Sequence, residues 1–241
     1  MSDFRSINRA AFEDNGIAAL LTADVEDRLE RLCRIMQEKN AVMNVTAITD
    51  DDGISRKHFC DCAFLAELLP DSGKLADIGC GGGFPCLVLA TMRPGIAVTA
   101  IDSTAKKVNY VAQTASELGL SNLSGVSMRA EDGGNDECYR ERYDIVTARA
   151  VAALDILCEL CLPYLKVGGR FYAMKGKGAN EELDSAQKAI KTLGCKVVKL
   201  HERTLVLDGE TQTRFIIEIE KIAKTPIAYP RPYAKIKKKP L

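Results

Sequence analysis

The amino-acid sequence predicts a doubly wound α/β fold, in which a mostly parallel sheet has an antiparallel edge strand and follows a helical cap. Beyond residue 70, short apolar runs alternate with helical stretches. This alternation is typical of parallel strands joined by right-handed helical crossovers. A glycine-rich run at residues 79–83 lies between the first apolar run and a helical stretch. The pair Asp208-Gly209 separates two later apolar runs and indicates a β-hairpin.

Residues 1–70 are predicted to form the N-terminal helical cap. Apolar residues recur at three- and four-residue spacing within residues 8–21 and 22–39, which is the period of a helix with one buried face. Thr22 is placed to start the second of these helices. Residues 40–53 resemble a loop, and residues 55–69 predict a further helix that stops at the following Pro70.

The main domain is predicted to span residues 71–222. Its parallel strands are expected at residues 75–78, 96–101, 123–128, 143–147 and 169–175. The intervening helices are expected at residues 84–92, 104–118, 154–165 and 180–193, and the hairpin strands at residues 196–207 and 211–219. Nucleotide-like ligands bind such sheets beyond the carboxyl ends of the strands, so candidate site residues are expected there.

Composition limits the class of protein. Hydrophobic residues make up 46% of the 241 residues, which is enough for a packed core, and 33 basic residues balance 33 acidic ones. The nine scattered cysteines lack zinc-ribbon spacing, so we expect reduced thiols in a cytoplasmic protein and no metal site. Neither a signal-peptide core nor an apolar run of membrane-spanning length is present in the sequence, so no membrane partner is expected.

The glycine-rich run carries the strongest functional signal. Gly79, Gly81 and Gly83 alternate after the first strand, and glycine allows a sharp turn and the close approach of a ligand. An ordinary glycine-rich turn is the alternative interpretation. Phe84 stands where a dinucleotide site would need a small residue. Asp77 could reach the amino-acid end of a ligand, and its carboxylate would repel a pyrophosphate.

Polar residues follow the next two strands. Asp102 could accept hydrogen bonds from both ribose hydroxyls of a nucleoside, in either NAD or S-adenosylmethionine, or it could start a helix with Ser103 and Thr104. Ala130 and Glu131 could meet an adenine at the edge of the site. Glu131 could equally be a solvated loop residue.

Three basic or titratable residues are candidates for substrate contact. Arg149 ends the fourth strand and could pair with Asp77, a cofactor carboxylate or a substrate phosphate. A structural salt bridge is as plausible for this arginine. His58, on the last helix of the cap, and Lys175, at the end of the fifth strand, are predicted to bind substrate. The basic C-terminal tail, residues 223–241, has four lysines in its last seven residues and could contact phosphates.

These motifs together resemble the bacterial small-subunit ribosomal RNA methyltransferase G family, also called the glucose-inhibited division protein B family. The resemblance lies in residues 77–84, 102–103, 148–150 and 170–176. Upstream, Asn44-Val45-Thr46 resembles the family's Asn-Leu-Thr, and Lys57-His58 with Asp61-Cys62 resembles its Arg-His and Asp-Ser. The resemblance covers nearly the whole chain.

The resemblance implies a class I S-adenosylmethionine-dependent methyltransferase with a Rossmann-like sheet, acting on guanine N7 of 16S ribosomal RNA. The family's cofactor positions correspond to Gly79, Phe84, Asp102, Ser103, Thr104, Ala130, Glu131 and Arg149. Ribosomal RNA or the small ribosomal subunit would be the partner of a monomeric enzyme. Guanine N7 has a free lone pair, so no catalytic acid or base is predicted.

Three alternatives remain open from the residues alone. A methyltransferase for a small molecule or a protein would use the same cofactor site. An NAD-dependent oxidoreductase is disfavoured by Phe84 and by the absence of an obvious second catalytic domain in the sequence. A non-catalytic nucleotide-binding protein would bind the cofactor without turnover.

Overall fold

The computed structural model describes residues 3–43 and 46–241, and in that part of the chain seven strands form one sheet. The strands are β1 (Gly73–Ile78), β2 (Ile96–Asp102), β3 (Leu123–Ser127), β4 (Tyr143–Arg149), β5 (Leu165–Lys175), β6 (Cys195–Val206) and β7 (Thr211–Lys221). Their order in the sheet is β3-β2-β1-β4-β5-β7-β6. The first five strands are parallel, and β7 is antiparallel to both β5 and β6. The predicted doubly wound sheet is therefore confirmed, with the antiparallel hairpin at one edge.

The strand order reverses between β1 and β4, so a crevice opens beyond the carboxyl ends of these two strands. Helices cover both faces of the sheet. They are α5 (Cys86–Met92), α6 (Ala105–Glu117), α7 (Ala130–Asn135), α8 (Leu154–Cys161) and α9 (Ala179–Thr192). Leu75 of β1 belongs to the apolar cluster shared with the cap, and the next residue, Ala76, belongs to the cluster under α8 and α9. This alternation follows from the two-residue period of a strand.

The cap begins with α1 (Phe4–Asp14) and α2 (Ala23–Met43) and continues with α3 (Asp51–Gly53). A π-helical turn, Ile54–Cys60, joins α3 to α4 (Asp61–Ala66), so that one continuous helical segment carries His58. The predicted loop is shorter than expected, because the side chain of Asp50 accepts a hydrogen bond from the amide of Gly53 at 2.7 Å and starts the helix early. Asn44 and Val45 of the family resemblance lie outside the described residues.

The C-terminal part of the chain folds back onto the domain and ends in a short helix, α10 (Tyr233–Lys238), which the sequence analysis did not predict. Ile236 of this helix is fully buried. None of the helices among the described residues is long and apolar enough to cross a membrane. The same residues contain no group of three or more His, Cys, Asp or Glu side chains that could hold a metal ion.

Candidate functional site

The glycine-rich loop forms the floor of the crevice. The amides of Gly79 and Cys80 both donate to the carbonyl oxygen of Ile101, at 2.8 and 3.0 Å, and so tie the loop to the end of β2. Gly79 has a φ of +76°. A Cβ atom on Gly79 would lie 2.6 Å from Cγ2 of Val151, so the loop packs against this side chain at a distance that only glycine allows.

A cavity of about 520 Å³ lies above this loop, within the size range of sites for small molecules. Most of the predicted site residues line it: His58, Gly79, Gly81, Phe84, Asp102, Ser103, Thr104, Ala130, Glu131 and Arg149. Ile101, Met128 and Leu160 add apolar surface. Asp77 and Lys175 are not part of this lining.

Asp102 both holds the loop and lines the cavity. Its Oδ2 accepts a hydrogen bond from the Gly81 amide at 3.1 Å, and its Oδ1 accepts one from the Thr104 amide at 2.9 Å. The N-cap of α6 is Thr104, the last residue of the run Asp102–Thr104 that was predicted as the alternative helix start. A carboxylate has about four acceptor positions. Asp102 therefore keeps acceptor capacity for hydroxyl groups in the cavity.

Asp77 is fully buried at the end of β1. Its Oδ2 accepts a hydrogen bond from the Cys86 amide at 3.2 Å, while its Oδ1 has no hydrogen-bond partner among the described residues. Burial is the main cause that raises the pKa of Asp77 to about 7. An unpaired buried carboxyl oxygen is costly, so this atom fits a site that gains a cationic or donor group from a ligand.

Arg149 is the centre of an ion-pair network. Its Nη1 donates to Oδ2 of Asp61 at 2.8 Å, and Oδ1 of the same carboxylate accepts from Nε of Arg214 at 3.1 Å. The acidic partner of Arg149 is thus Asp61, which was named only in the family resemblance, and not the predicted Asp77. Burial and the attraction of neighbouring acidic groups act in opposite directions on Arg149, and its pKa remains above the usual value.

His58 is held in one tautomer by this network. Nη2 of Arg149 donates to Nδ1 of His58 at 2.8 Å, because a guanidinium has no acceptor. The ring proton therefore lies on Nε2, which donates to Oγ1 of Thr46 at 2.9 Å. The ring also stacks on Phe84, with ring centroids 4.6 Å apart. Burial and the charge of Arg149 lower the pKa of His58 to about 3. A neutral imidazole with both nitrogens engaged is a positioning group rather than a base.

A second cavity, of about 660 Å³, adjoins the first one. Four residues line both cavities: His58, Arg149, Ala150 and Val151. Ala150 has a φ of +56°, in a region that costs a non-glycine residue about 1–2 kcal/mol. Such backbone strain is often found at functional sites, and here it lies at the boundary between the two cavities.

Basic side chains line the second cavity, and only some of them could be predicted from the sequence. Lys175 lines it, but Nζ of this lysine donates to Oε2 of Glu182 and to the carbonyl oxygen of Ala152, both at 2.7 Å. Lys175 is thus paired within the protein. Lys57, Arg203 and Arg214 complete the cationic part of the lining. The two arginines come from the edge hairpin, and no local motif signals their presence.

The family model described as rRNA small subunit methyltransferase G matches residues 25–207. The ribosomal RNA small subunit methyltransferase G of Brevibacillus brevis is 43% identical over 223 residues, which are 92% of this chain and 93% of the relative. The protein of the same name from Clostridium perfringens strain 13 is 40% identical over 209 residues, covering 86% of this chain and 87% of the relative.

Solved structures agree on the architecture. An S-adenosylmethionine-dependent O-methyltransferase from Thermotoga maritima has a TM-score of 0.52 and 17% identity, over 79% of this chain and 72% of that chain. The [4+2]-cyclase SpnF has a TM-score of 0.54 and 17% identity, over 68% of this chain and 82% of that chain. At this level of identity the likeness concerns the fold alone.

Proposed function

Because this chain belongs to the rRNA small subunit methyltransferase G family, we propose that it methylates guanine N7 in 16S ribosomal RNA. Membership makes it an S-adenosylmethionine-dependent rRNA methyltransferase and disfavours the oxidoreductase and the small-molecule or protein methyltransferase. The observation that carries the proposal is the pair of adjoining cavities with four shared residues. One cavity suits a nucleoside cofactor, and the other suits a base.

The first cavity is proposed to hold the cofactor. Asp102 would accept from the ribose hydroxyls, and the apolar surface beside Ala130 and Glu131 would contact the adenine. Among the described residues, Nε–H and one Nη2–H of Arg149 have no hydrogen-bond partner, and they can donate to the carboxylate of the cofactor. Bound S-adenosylmethionine supplies a methyl group attached to a positively charged sulfur. The unpaired Oδ1 of Asp77 lies behind the cavity lining and is the proposed partner of its ammonium group through water or neighbouring amides.

The second cavity is proposed to hold the guanine. A regular A-form RNA helix hides N7 in a deep, narrow groove, so the base must be unpaired or flipped out of its helix. Lys57, Arg203 and Arg214 provide cations for the flanking phosphates. Asp61 and Glu182 line the same cavity and can offset positive charge that develops on the base.

The chemistry needs no proton transfer by the protein. Guanine N7 presents a lone pair, and both nitrogens of His58 are already engaged in hydrogen bonds. Catalysis then rests on alignment, which can supply up to about 7–11 kcal/mol of the barrier. His58 and Arg149 line both cavities, and Phe84 packs against both of these side chains. We propose that this packed group fixes the relative position of donor and acceptor at the junction where the cavities meet.

The proposal is tested by methyl transfer from isotopically labelled S-adenosylmethionine to naked 16S rRNA and to small ribosomal subunits. We expect one labelled 7-methylguanosine per RNA molecule after digestion and mass spectrometry. A reaction with large-subunit RNA is the matched control. Label on another atom of guanine, or on another nucleoside, would refute the assignment to N7 while leaving rRNA methylation intact.

The pKa of Asp77 predicts a pH dependence of cofactor binding. The ionised carboxylate favours a cationic ligand, and its pKa of about 7 means that a proton must be displaced at lower pH. We expect the affinity for S-adenosylmethionine to rise as the pH is raised from 5.5 to about 7, by up to about tenfold per pH unit. Calorimetry at each pH measures the effect.

The variant Asp77→Asn is the control for this prediction, because it leaves the titration of the cofactor itself unchanged. Its affinity should vary much less over the same pH range. The folded-state pKa of Asp77 lies above the unfolded value, so the free protein should also lose stability as the pH rises from about 4 to 7. Equal pH profiles of cofactor affinity for the wild type and Asp77→Asn would exclude a role for this carboxyl group in cofactor binding.

The lysines of the tail are expected to contact RNA phosphates. Replacing Lys237, Lys238 and Lys239 with glutamine should weaken RNA binding and reduce the slope of log affinity against log salt by up to about 0.7–0.9 per lost contact. Substituting the exposed Lys188 and Lys191 of α9 in the same way provides a control for a general change of charge. An unaltered slope in the tail variant would show that the tail makes no phosphate contact.

We further propose that the enzyme acts as a monomer in the cytoplasm. Light scattering at micromolar concentration, with and without RNA, tests the oligomeric state. A stable dimer in the absence of RNA would contradict the first part of this proposal. Fractionation of cells followed by immunoblotting tests the second part.

A further inference from the structure

Residues 226–241, here called the C-terminal segment, are anchored to the domain by a buried ion pair. The amide and Nε of Arg231 both donate to Oε1 of Glu159 at 2.8 Å, and its Nη2 donates to Oε2 at 2.6 Å. Glu159 lies on α8 and is completely buried. Within the part of the chain that the structure describes, all the side-chain hydrogen bonds of Glu159 come from the segment. Detachment would therefore leave a buried carboxylate unpaired, which is costly.

Further contacts fix the same segment on α7 and on the chain that follows it. Nδ2 of Asn135 donates to the carbonyl oxygen of Pro230 at 3.1 Å. Nη1 of Arg140 donates to the carbonyl oxygen of Tyr229 at 2.7 Å. A Cβ on Gly134 would lie 2.9 Å from Cγ of Pro230, so the segment and α7 are packed without space between them. The segment is thus fixed on two helices at once.

These two helices also form part of the wall of the cofactor cavity. Ala130 and Glu131 begin α7, and Leu160 belongs to α8, and all three line the cavity. Tyr233 is the first residue of α10 and lines the same cavity, with 36% of its surface exposed. The anchors therefore bring an accessible aromatic ring to the side of the cavity that the proposed function assigns to adenine.

We propose that Tyr233 is a cofactor-binding residue that contacts the adenosine part of S-adenosylmethionine, and that the Arg231–Glu159 pair holds it in place. Contacts between a base and an aromatic ring increase the binding affinity of proteins for nucleic acids severalfold. Since the contact exists only while the segment is docked, cofactor binding must in turn stabilise the docked segment. The proposal rests on the proposed cofactor site and adds to it a wall formed by the C-terminal segment.

The test compares the full-length wild type with two variants, Tyr233→Ala and Tyr233→Phe, by calorimetry with S-adenosylhomocysteine, the demethylated product of the reaction. We expect Tyr233→Ala to bind at least fivefold more weakly and Tyr233→Phe to bind within twofold of the wild type. The substitution Ala234→Ser, at an exposed position of the same short helix outside the cavity lining, is the matched control and should bind as the wild type does. Hydrogen exchange of residues 226–241 should slow when S-adenosylhomocysteine is added to the wild type.

Separate outcomes distinguish this proposal from the proposed function. If the wild type binds S-adenosylhomocysteine but Tyr233→Ala binds it equally well and exchange in the segment is unaffected, the contact with Tyr233 is refuted and the cofactor site stands. If the wild type does not bind S-adenosylhomocysteine, both proposals fail. Weaker binding by Tyr233→Phe as well as by Tyr233→Ala would assign the effect to the hydroxyl group and overturn the ring contact.

Discussion

The substitution Gly79→Ala is expected to weaken binding of S-adenosylhomocysteine by at least tenfold and to lower methyl transfer in proportion. The new Cβ would lie 2.6 Å from Cγ2 of Val151, closer than any non-bonded carbon pair allows, so the Val151 side chain, the loop or the chain after β4 must move. The φ of +76° adds about 1–2 kcal/mol of backbone strain for alanine. Because Val151 lines both cavities, the displacement reaches the donor and the acceptor sites together.

The neighbouring glycine provides the matched control. Gly81 also has a positive φ, of +53°, but a Cβ on Gly81 would have no atom nearer than 3.8 Å. Gly81→Ala therefore carries the backbone strain without the clash and should bind cofactor more tightly than Gly79→Ala. Adding Val151→Ala to Gly79→Ala should restore part of the affinity, because Cβ of residue 151 lies at an acceptable 3.6 Å. Equal losses in both glycine variants and no rescue would contradict the steric explanation.

The parts of the fold that the sequence predicted are those with a strong local pattern. The apolar runs of β1, β2 and β4 are bounded by turns, and the Asp208-Gly209 turn predicts the hairpin of β6 and β7. The helices α7 and α10 were missed, because each has only six residues and α7 contains two glycines, which disfavour helix formation. α7 packs against the C-terminal segment, and α10 packs against α8. A local sequence pattern does not contain such tertiary contacts.

The residues of the candidate site also fall into two groups, those that a local sequence pattern predicts and those that it does not. The cavity residues that follow a strand in sequence, such as Gly79, Asp102 and Arg149, could be predicted because parallel strands all end at one edge of the sheet. Tyr233 and the arginines of the hairpin could not, since they are more than 50 residues away from these strand ends along the chain. Asp77 and Lys175 were predicted to face a ligand, but neither lines the cofactor cavity. Lys175 is paired with Glu182, and the Oδ1 of Asp77 remains unpaired.

Replacing Arg149 with methionine is expected to lower both the free energy of unfolding and the rate of methyl transfer. Its guanidinium is nearly buried and donates to Asp61 and His58. Removing one partner of a buried ion pair costs about 3–5 kcal/mol in the free energy of unfolding, and we expect the lower end of this range because Asp61 keeps its contact with Arg214 at 3.1 Å. The loss also frees Nδ1 of His58, so the packed group at the junction of the two cavities is no longer fixed. We expect methyl transfer to fall at least about 100-fold, which a displacement of about 1 Å at a reacting centre can cause. Denaturant unfolding and single-turnover methylation measure the two effects.

Two further variants separate charge from positioning. Arg149→Lys keeps a cation beside Asp61, but a single ammonium group cannot reproduce the planar fork that reaches both Asp61 and His58. Its stability should lie nearer the wild type than that of Arg149→Met, while its activity should remain low. Adding Asp61→Asn to Arg149→Met removes the underpaired buried carboxylate and should recover stability but not activity, because His58 still lacks its donor. If activity returned with stability in this double variant, Arg149 would act only through the fold, and the role of the Arg149–His58 contact in alignment would have to be abandoned.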